Sequence, residues 1–120
     1  MEYKIDFVYN EYSDGSGKWS PLASAASIVG RPDVYIHFAH HDYDYVWNEE
    51  TKRDDRISTN KFFGGMGEGS SFDNWQDALL TSLYDMYQVY EGFADGDTFA
   101  AEYFGQKAIF KCQGVHVVCE

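Results

Sequence analysis

The sequence has no Lys or Arg between Phe62 and Gln106, although the same stretch contains eight carboxylates. It contains only two cysteines, and no apolar run approaches the ~20 residues that a membrane-spanning helix needs. Met1 leads directly into the strand-like Glu2-Tyr3-Lys4-Ile5, without the apolar segment of a signal peptide. These absences predict a protein of the reducing cytoplasm that has no membrane partner and no disulfide framework.

Catalytic motifs are also missing. There is no Gly-x-Ser-x-Gly motif for a nucleophilic serine. The glycine run at 64–69 precedes a predicted helix, but it lacks the Lys-Ser/Thr of a phosphate-binding loop, and Glu68 and Asp73 bring negative charge to that position. Paired carboxylates occur in stretches that look exposed, where burial would not raise a pKa for general acid catalysis. The sequence therefore predicts a non-enzyme that uses no cofactor.

What the chain does contain is strong acidity on a composition that can fold. It carries a formal net charge of −11, yet 44% of its residues are hydrophobic and 18% are aromatic. At 120 residues it is large enough for one hydrophobic core, which predicts a single domain over residues 1–120. An acidic folded surface repels nucleic acid and anionic membranes, and it attracts basic proteins through fast, salt-sensitive association.

The clearest predicted element is a helix over residues 73–91. Asp73 is placed to cap its start, with Gln76 completing a capping box, and Gly92 follows its last apolar position. Its apolar residues recur every three or four positions and so share one face: Trp75, Leu79, Leu83, Met86 and Tyr90. The residues between them form a second, polar face.

Alternating apolar residues predict strands elsewhere. They indicate a strand at 2–10, one bent strand or two strands from Val34 to Trp47, and a weaker strand from Ile57 to Phe63. Lys107 to Cys112 and Val115 to Cys119 flank Gln113-Gly114 in the manner of a hairpin. The two strands of this hairpin would share one apolar face made of Ala108, Phe110, Cys112, Val115, Val117 and Cys119.

Two further segments read as short helices. Ser20-Pro21 and Gly30 bracket an Ala-rich helix at 21–29, and residues 98–104 favour a helix, although their aromatic content also allows a strand. Residues 13–17 form a predicted loop, and the charge run from Glu49 to Arg56 is expected at a hairpin tip. The whole predicts an α+β fold in which the main helix (73–91) packs on an antiparallel sheet of about four to six strands, with one or two short helices.

The polar face of the main helix is the predicted partner-binding site. Tyrosine is typical of binding hot spots, and the carboxylates would pair with Lys and Arg of a basic protein. The predicted site comprises Asp77, Tyr84, Asp85, Gln88, Glu91, Asp95 and Asp97. A second acidic, aromatic cluster is formed by Asp42, Tyr43, Asp44, Tyr45, Glu49 and Glu50. Either cluster has the composition of an interaction surface, and surplus aromatics could also bury in a homo-oligomer.

A metal site is the competing hypothesis. His37, His40 and His41 lie within five residues, and imidazole is a common metal ligand. On a strand, however, His37 and His41 point one way and His40 the other, so that no more than two converge without a bend. Cys112 and Cys119 are both expected to be buried small hydrophobes at opposite ends of their hairpin, so we predict no metal ligands in this chain.

In size, charge and aromatic content the chain is similar to small acidic proteins that inhibit nucleic-acid enzymes: phage-encoded antirestriction and anti-CRISPR proteins, and bacterial immunity proteins. That similarity implies an inhibitor that occludes the nucleic-acid-binding surface of a basic nuclease or related enzyme by partial DNA mimicry. From Asp77 to Glu91 a helix rises about 21 Å, where duplex DNA carries on the order of 12 phosphates. The alternatives are an immunity protein that neutralises a toxin and a small metal enzyme built on the three histidines.

Overall fold

The computed structural model describes residues 1–13, 19–65 and 70–120, and within these ranges the chain is an α+β protein with nine strands and one helix. No helix in these ranges is long and apolar enough to cross a membrane. The elements in chain order are β1 (Glu2–Ser13), β2 (Trp19–Ile28), β3 (Arg31–Ile36), β4 (Phe38–Asn48), β5 (Arg53–Gly64), β6 (Ser70–Phe72), α1 (Trp75–Val89), β7 (Thr98–Tyr103), β8 (Gln106–Gln113) and β9 (His116–Cys119).

The strands form two sheets. The larger has six strands in the order β3-β2-β1-β7-β8-β9, and the smaller has three in the order β4-β5-β6. The first is mixed, because Glu2–Lys4 of β1 pairs parallel with Thr98–Ala100 of β7. All other pairs are antiparallel. The prediction of one wholly antiparallel sheet was therefore right for most pairs and wrong for the central one, which joins segments nearly a hundred residues apart.

The two sheets meet where β3 leads into β4. The chain leaves the first sheet at His37 and enters the second at Phe38, and the register of β4 shifts again between His41 and Tyr43. The sequence predicted either one bent strand or two strands from Val34 to Trp47, and the structure has two, in different sheets. The change of sheet at His37 lets Ile36 and Phe38, both fully buried, contribute to one core from two different sheets.

Both predicted short helices are wrong. Residues 21–29 belong mostly to β2, which pairs with β1 over its whole length, and residues 98–103 form β7. Alanine favours a helix in isolation, but in β2 pairing with β1 and β3 determines the strand, and Ala23 and Ala26 are buried in the core. In β7 the alternation of Phe99, Ala101 and Tyr103 into the core determines the strand.

The main helix is confirmed, with shorter bounds than predicted. Its N-cap is Asn74, whose Oδ1 accepts from the Asp77 N–H at 2.8 Å, rather than Asp73, which contacts Lys61 instead. Gly92 has φ +96°, in keeping with a glycine after the helix, although the cap itself is Tyr90. The buried residues of α1 are Trp75, Ala78, Leu79, Ser82, Leu83 and Met86.

The C-terminal hairpin is also confirmed, with its turn one residue further along. Gln113 pairs with His116, so that Gly114 and Val115 form the turn. Val115 is therefore 65% exposed, and Cys119, at the open end of the hairpin, is exposed as well. The rest of the predicted apolar face is buried and consists of Ala108, Phe110, Cys112 and Val117.

The second hairpin, β4–β5, extends away from the core. Its tip is a turn at residues 49–52, within the predicted charge run, where Asn48 Oδ1 accepts from the Glu50 N–H at 2.9 Å. The molecule measures 54 × 26 × 25 Å, and its radius of gyration of 16.3 Å exceeds the roughly 14 Å of a compact chain of this length. The predicted loop residues 14–17 and glycine-run residues 66–69, Glu68 included, lie outside the described residues.

Candidate functional site

The histidines do not form a cluster. As strand alternation requires, His40 is buried while His37 and His41 are exposed. His37 Nδ1 lies 3.1 Å from the Gly65 carbonyl, and the His41 ring packs edge-on against Phe63. In the parts of the chain that the structure describes, no group of three His, Cys, Asp or Glu side chains could hold a metal ion.

His40 instead belongs to a buried chain of hydrogen bonds that the sequence did not predict. The Ala23 N–H donates to the Tyr103 hydroxyl at 3.1 Å, and that hydroxyl lies 2.6 Å from His40 Nδ1. His40 Nε2 lies 2.7 Å from Asn60 Oδ1. In the neutral ring, Nε2–H donates to Asn60 and Nδ1 accepts from Tyr103, so every partner has a matching role.

This chain ties the two sheets together. Tyr103 stands on β7 and receives a bond from β2, whereas His40 and Asn60 stand on β4 and β5. The His40 ring also stacks on Phe62, with centroids 4.2 Å apart and planes at 22°. Asn60 has φ +52°, a left-handed conformation that asparagine tolerates better than most residues. The arrangement anchors the base of the β4–β5 hairpin.

The predicted partner-binding residues of the helix do reach solvent. Asp77, Tyr84 and Gln88 are exposed on the side of α1 that faces away from the core, and Asp85 is half-buried beside them. Tyr84, 37% exposed, stacks on His116 of β9 with ring centroids 5.9 Å apart and planes at 17°. One face of the Tyr84 ring therefore packs on His116 while part of the side chain remains accessible.

Two residues of the predicted site also hold the C-terminal hairpin in place. Gln88 Nε2 donates to the Val115 carbonyl at 2.7 Å, and the Gly114 N–H donates to Asp95 Oδ1 at 2.7 Å. The neighbouring Tyr87 hydroxyl donates to the Gly114 carbonyl at 2.8 Å. Gln88 and Asp95 remain exposed, so they fix the turn and still present polar atoms to solvent.

Asp97 is the predicted site residue that the fold removes from the surface. Its carboxylate accepts from the N-terminal ammonium of Met1 and from the Ala94 N–H, both at 2.9 Å, and the residue is only 7% exposed. Burial raises the pKa of the Asp97 carboxyl, but the hydrogen bond from Ala94 and the bond and charge of the ammonium outweigh it and hold the pKa below its ordinary value. Asp97 therefore secures β1 beside β7 and cannot meet a partner.

Six of the seven predicted residues thus remain on one surface, which we call the acidic face: Asp77, Tyr84, Asp85, Gln88, Glu91 and Asp95. Cations from other segments contact its surroundings at two points. Lys61 pairs with Asp73 before the helix and lowers the pKa of that carboxyl. Beyond the helix, Arg31 donates to the Glu91 carbonyl at 3.0 Å and pairs with Asp33 at 2.8 Å.

The opposite surface, the outer face of the six-stranded sheet, has a different charge pattern. Carboxylates and lysines alternate there, and a shallow cavity of about 710 Å³ opens where β1 and β7 diverge. Burial, followed by the nearby Asp6 and Glu102 charges, raises the pKa of Tyr9 at its edge. On β1, β7 and β8 the charged residues of this face are Glu2, Lys4, Asp6, Glu102, Lys107 and Lys111. Acidity is thus unbalanced on the helix side and balanced on these three strands of the sheet side.

The cysteines have no reactive environment. Burial, with a smaller contribution from the Asp97 and Asp95 charges, raises the pKa of the Cys112 thiol to about 11. The pKa of Cys119 is also raised, by partial burial and then by Asp77 and Glu120. Both are free thiols. Neither has the lowered pKa of a catalytic thiolate.

A second exposed surface lies on the β4–β5 hairpin. Tyr45, Val46, Trp47 and Ile57 are each between 44% and 57% exposed. Trp47 Nε1 donates to Glu49 Oε1 at 2.9 Å, which fixes the indole near the tip. Of the second predicted cluster, Tyr45, Glu49 and Glu50 lie on this surface; the side chains of Asp42, Tyr43 and Asp44 are outside what the structure describes.

A scan against protein-family models and searches of curated proteins and of solved structures found no significant match to this chain. Its function must therefore be inferred from its own charge and geometry.

Proposed function

We propose that this chain is an inhibitor of a basic nucleic-acid-acting enzyme, which it blocks by docking its acidic face on the enzyme's nucleic-acid-binding surface. It would act in the manner of antirestriction or anti-CRISPR proteins, by partial mimicry of DNA. The partner is a nuclease or related enzyme, and the chain itself would bind neither nucleic acid nor membrane.

The supporting observation is the separation of charge between two surfaces of one small domain. From Ser70 to Gln106 the chain has seven carboxylates and no basic residue. Four of the seven lie on the acidic face, whereas Asp97 is buried, Asp73 pairs with Lys61, and Glu102 lies on the outer sheet face. On β1, β7 and β8 that outer face carries three carboxylates and three lysines. A basic partner would be oriented by this asymmetry, because complementary potentials steer encounter and fix the docking orientation.

The acidic face also has the rigidity that a protein interface needs. Asp77, Tyr84 and Asp85 stand on a 15-residue helix whose other side is buried, and Asp95 is fixed by its bond from Gly114. Tyr84 is held against His116, so burying it in a partner costs little conformational entropy. The carboxylates would pair with Lys and Arg, while Tyr84 would act as the aromatic anchor.

Charge density limits the mimicry to a partial one. The helix presents carboxylates at Asp77 and Asp85, with Glu91 just beyond its end. Duplex DNA carries one phosphate per ~1.7 Å of its axis, which is several times denser. We therefore expect the inhibitor to occupy part of the nucleic-acid groove and to compete for its basic residues, rather than to follow the groove along its length.

The test uses two variants with the same net charge. One removes three charges from the acidic face by Asp77→Asn, Asp85→Asn and Glu91→Gln. The matched control removes three from the outer sheet face by Glu2→Gln, Asp6→Asn and Glu102→Gln. Each immobilised protein would be exposed to nuclease-treated lysate of the native host and eluted with a salt gradient. The captured protein would then be purified, and its affinity for each variant measured with and without duplex DNA.

We expect the acidic-face variant to bind the captured enzyme at least about tenfold more weakly than the wild type, and the control variant to lose much less affinity. Duplex DNA should compete with the wild-type protein, and added salt should weaken the complex. Equal losses in the two variants would mean that only total charge matters. Unchanged affinity in the acidic-face variant would show that this face is not the docking site.

A further inference from the structure

The β4–β5 hairpin exposes an unprotected strand edge, which carries an inference independent of the proposed inhibition. We call residues 45–57, the outer part of this hairpin, the arm. β4 is the edge strand of the order β4-β5-β6, and no other described strand pairs with its outer edge along the arm. Tyr45, Val46 and Trp47 on that edge are 57%, 50% and 53% exposed. Exposed edges of this kind are templates for pairing with another strand.

The other edges of the described sheets are guarded in the usual ways. β6 is only three residues long and contacts α1, and the edge of β5 that β6 leaves unpaired carries charge at 53–56. β3, at one edge of the larger sheet, begins with Arg31-Pro32-Asp33, and β9, at the other edge, is short and lies beside α1. Pro, charge, short length and a covering helix all discourage edge pairing. The arm has none of these from Tyr45 to Asn48, where the residues are aromatic, aliphatic or amide and uncharged.

We propose that the occupant of this edge is a second copy of the chain, whose β4 adds antiparallel to β4 about a two-fold axis at Val46. In this register Val46 faces Val46 of the second copy, and Tyr45 faces Trp47 of the second copy. The two-fold axis repeats that aromatic pair, so two such pairs form on one side of the joined sheet. Aromatic cross-strand pairs are among the more stabilising contacts of antiparallel sheets.

Charge favours a second copy here over a basic partner. The arm has four carboxylates, Glu49, Glu50, Asp54 and Asp55, and three basic residues, Lys52, Arg53 and Arg56. It is therefore almost balanced in a chain whose net charge is −11, and it is a place where two copies can meet with little local repulsion. A basic enzyme would be drawn to the acidic face instead. Since the two whole molecules still repel each other, added salt should strengthen this dimer.

Two opposite charge substitutions at the axis test the register. Val46→Lys and Val46→Glu each place like charges directly opposite one another across the two-fold axis, on a side chain that is half-exposed. Val115→Lys is the matched control, because it makes the same change at a 65% exposed position in the C-terminal turn. Sedimentation velocity of each 120-residue protein, from low micromolar to several hundred micromolar and at two salt concentrations, would measure self-association. Circular dichroism would verify the fold of every variant.

We expect the wild-type protein to dimerise with rising concentration, and more readily with salt. Val46→Lys and Val46→Glu alone should each weaken the dimer about tenfold or more, a 1:1 mixture of the two should restore it, and Val115→Lys should behave as the wild type. A monomer at all concentrations, or a dimer indifferent to the Val46 variants, overturns the proposal. The proposal is also overturned if the wild-type protein stays a monomer and Val46→Lys abolishes its capture of the enzyme, since the arm would then contact the target. Because salt should weaken inhibitor binding and strengthen the dimer, failure of one proposal is distinguishable from failure of the other.

Discussion

Two hairpins of this protein, β8–β9 and the arm, differ in the kinds of residue that face each other across their strands. In the C-terminal hairpin, β8–β9, apolar residues face apolar residues: Cys112 is opposite Val117, and Phe110 is opposite Cys119. In the arm, each exposed apolar residue of β4 faces a charged residue of β5. Tyr45 is opposite Arg56, Val46 is opposite Asp55, and Trp47 is opposite Asp54.

This difference explains why one hairpin packs and the other projects. A hairpin can bury a face only if both strands supply apolar residues to it, since a buried unpaired charge is costly. The C-terminal hairpin meets that condition and packs against the helix, with its turn fixed by Tyr87 and Gln88. The arm does not meet it on either face, so its outer half stays in solvent while its base is anchored by His40. Alternation within a single strand is therefore not enough to predict burial.

The largest effect on stability is expected at the base of the β4–β5 hairpin, where β5 meets α1. A Cβ at Gly64 would lie 2.0 Å from the Ala78 carbonyl oxygen and 2.7 Å from its carbon, and both are helix backbone atoms that cannot turn aside. We expect Gly64→Ala to lower the free energy of unfolding by about 3 kcal/mol, measured by denaturant titration with circular dichroism.

Gly105→Ala is the control for that substitution. A Cβ at Gly105 meets nothing within 4 Å, but φ is +79°, so the cost should be only about 1–2 kcal/mol from backbone conformation. If the two substitutions lower the free energy of unfolding equally, β5 does not contact the helix as closely as described, and the base of the β4–β5 hairpin is not anchored there.

The next effect concerns the hydrogen-bond chain that joins the arm to the first sheet. Tyr103→Phe removes the hydroxyl that serves both the Ala23 N–H and His40 Nδ1, so two buried polar groups lose a partner. We expect a loss of about 2 kcal/mol by the same titration, with faster amide exchange in the inner halves of β4 and β5. Tyr35→Phe removes the same atom from a 54% exposed side chain and should change stability by less than about 0.5 kcal/mol. Equal stability of Tyr103→Phe and the wild type would contradict a structural role for the chain.

The smallest effects compare the two hairpins directly. Combining Tyr87→Phe with Gln88→Ala removes the two side-chain hydrogen bonds from the helix to the C-terminal turn. We expect it to lower the free energy of unfolding by about 1 kcal/mol and to speed amide exchange around Val115. Trp47→Ala removes a larger side chain from the arm, yet it should cost under about 0.5 kcal/mol because the indole is already 53% exposed. The comparison fails if Trp47→Ala costs as much as the double variant.

Sequence patterns predicted the elements whose signals are local. The stripe of Trp75, Leu79, Leu83 and Met86 located α1, and the alternation of Ala108, Phe110 and Cys112 located β8. The prediction failed for β2, where alanine propensity indicated a helix and pairing with β1 decided otherwise. No sequence signal could have connected His40 with Tyr103 and Asn60, because their contact depends on how the two sheets are joined.

The predictions for the candidate site divide in the same way, into features with a local sequence signal and features that depend on contacts between distant segments. The sequence by itself determined the acidity, the absence of basic residues from Phe62 to Gln106, and the side of α1 that faces solvent, because each depends on composition or on a short period. Only the tertiary structure decided that Asp97 is buried against the N-terminal ammonium, that Gln88 and Asp95 hold a distant turn, and that Lys61 reaches Asp73. Those outcomes depend on which segments meet in space, and such meetings have no local signature; the parallel pairing of β1 with β7, for example, places Met1 beside Asp97.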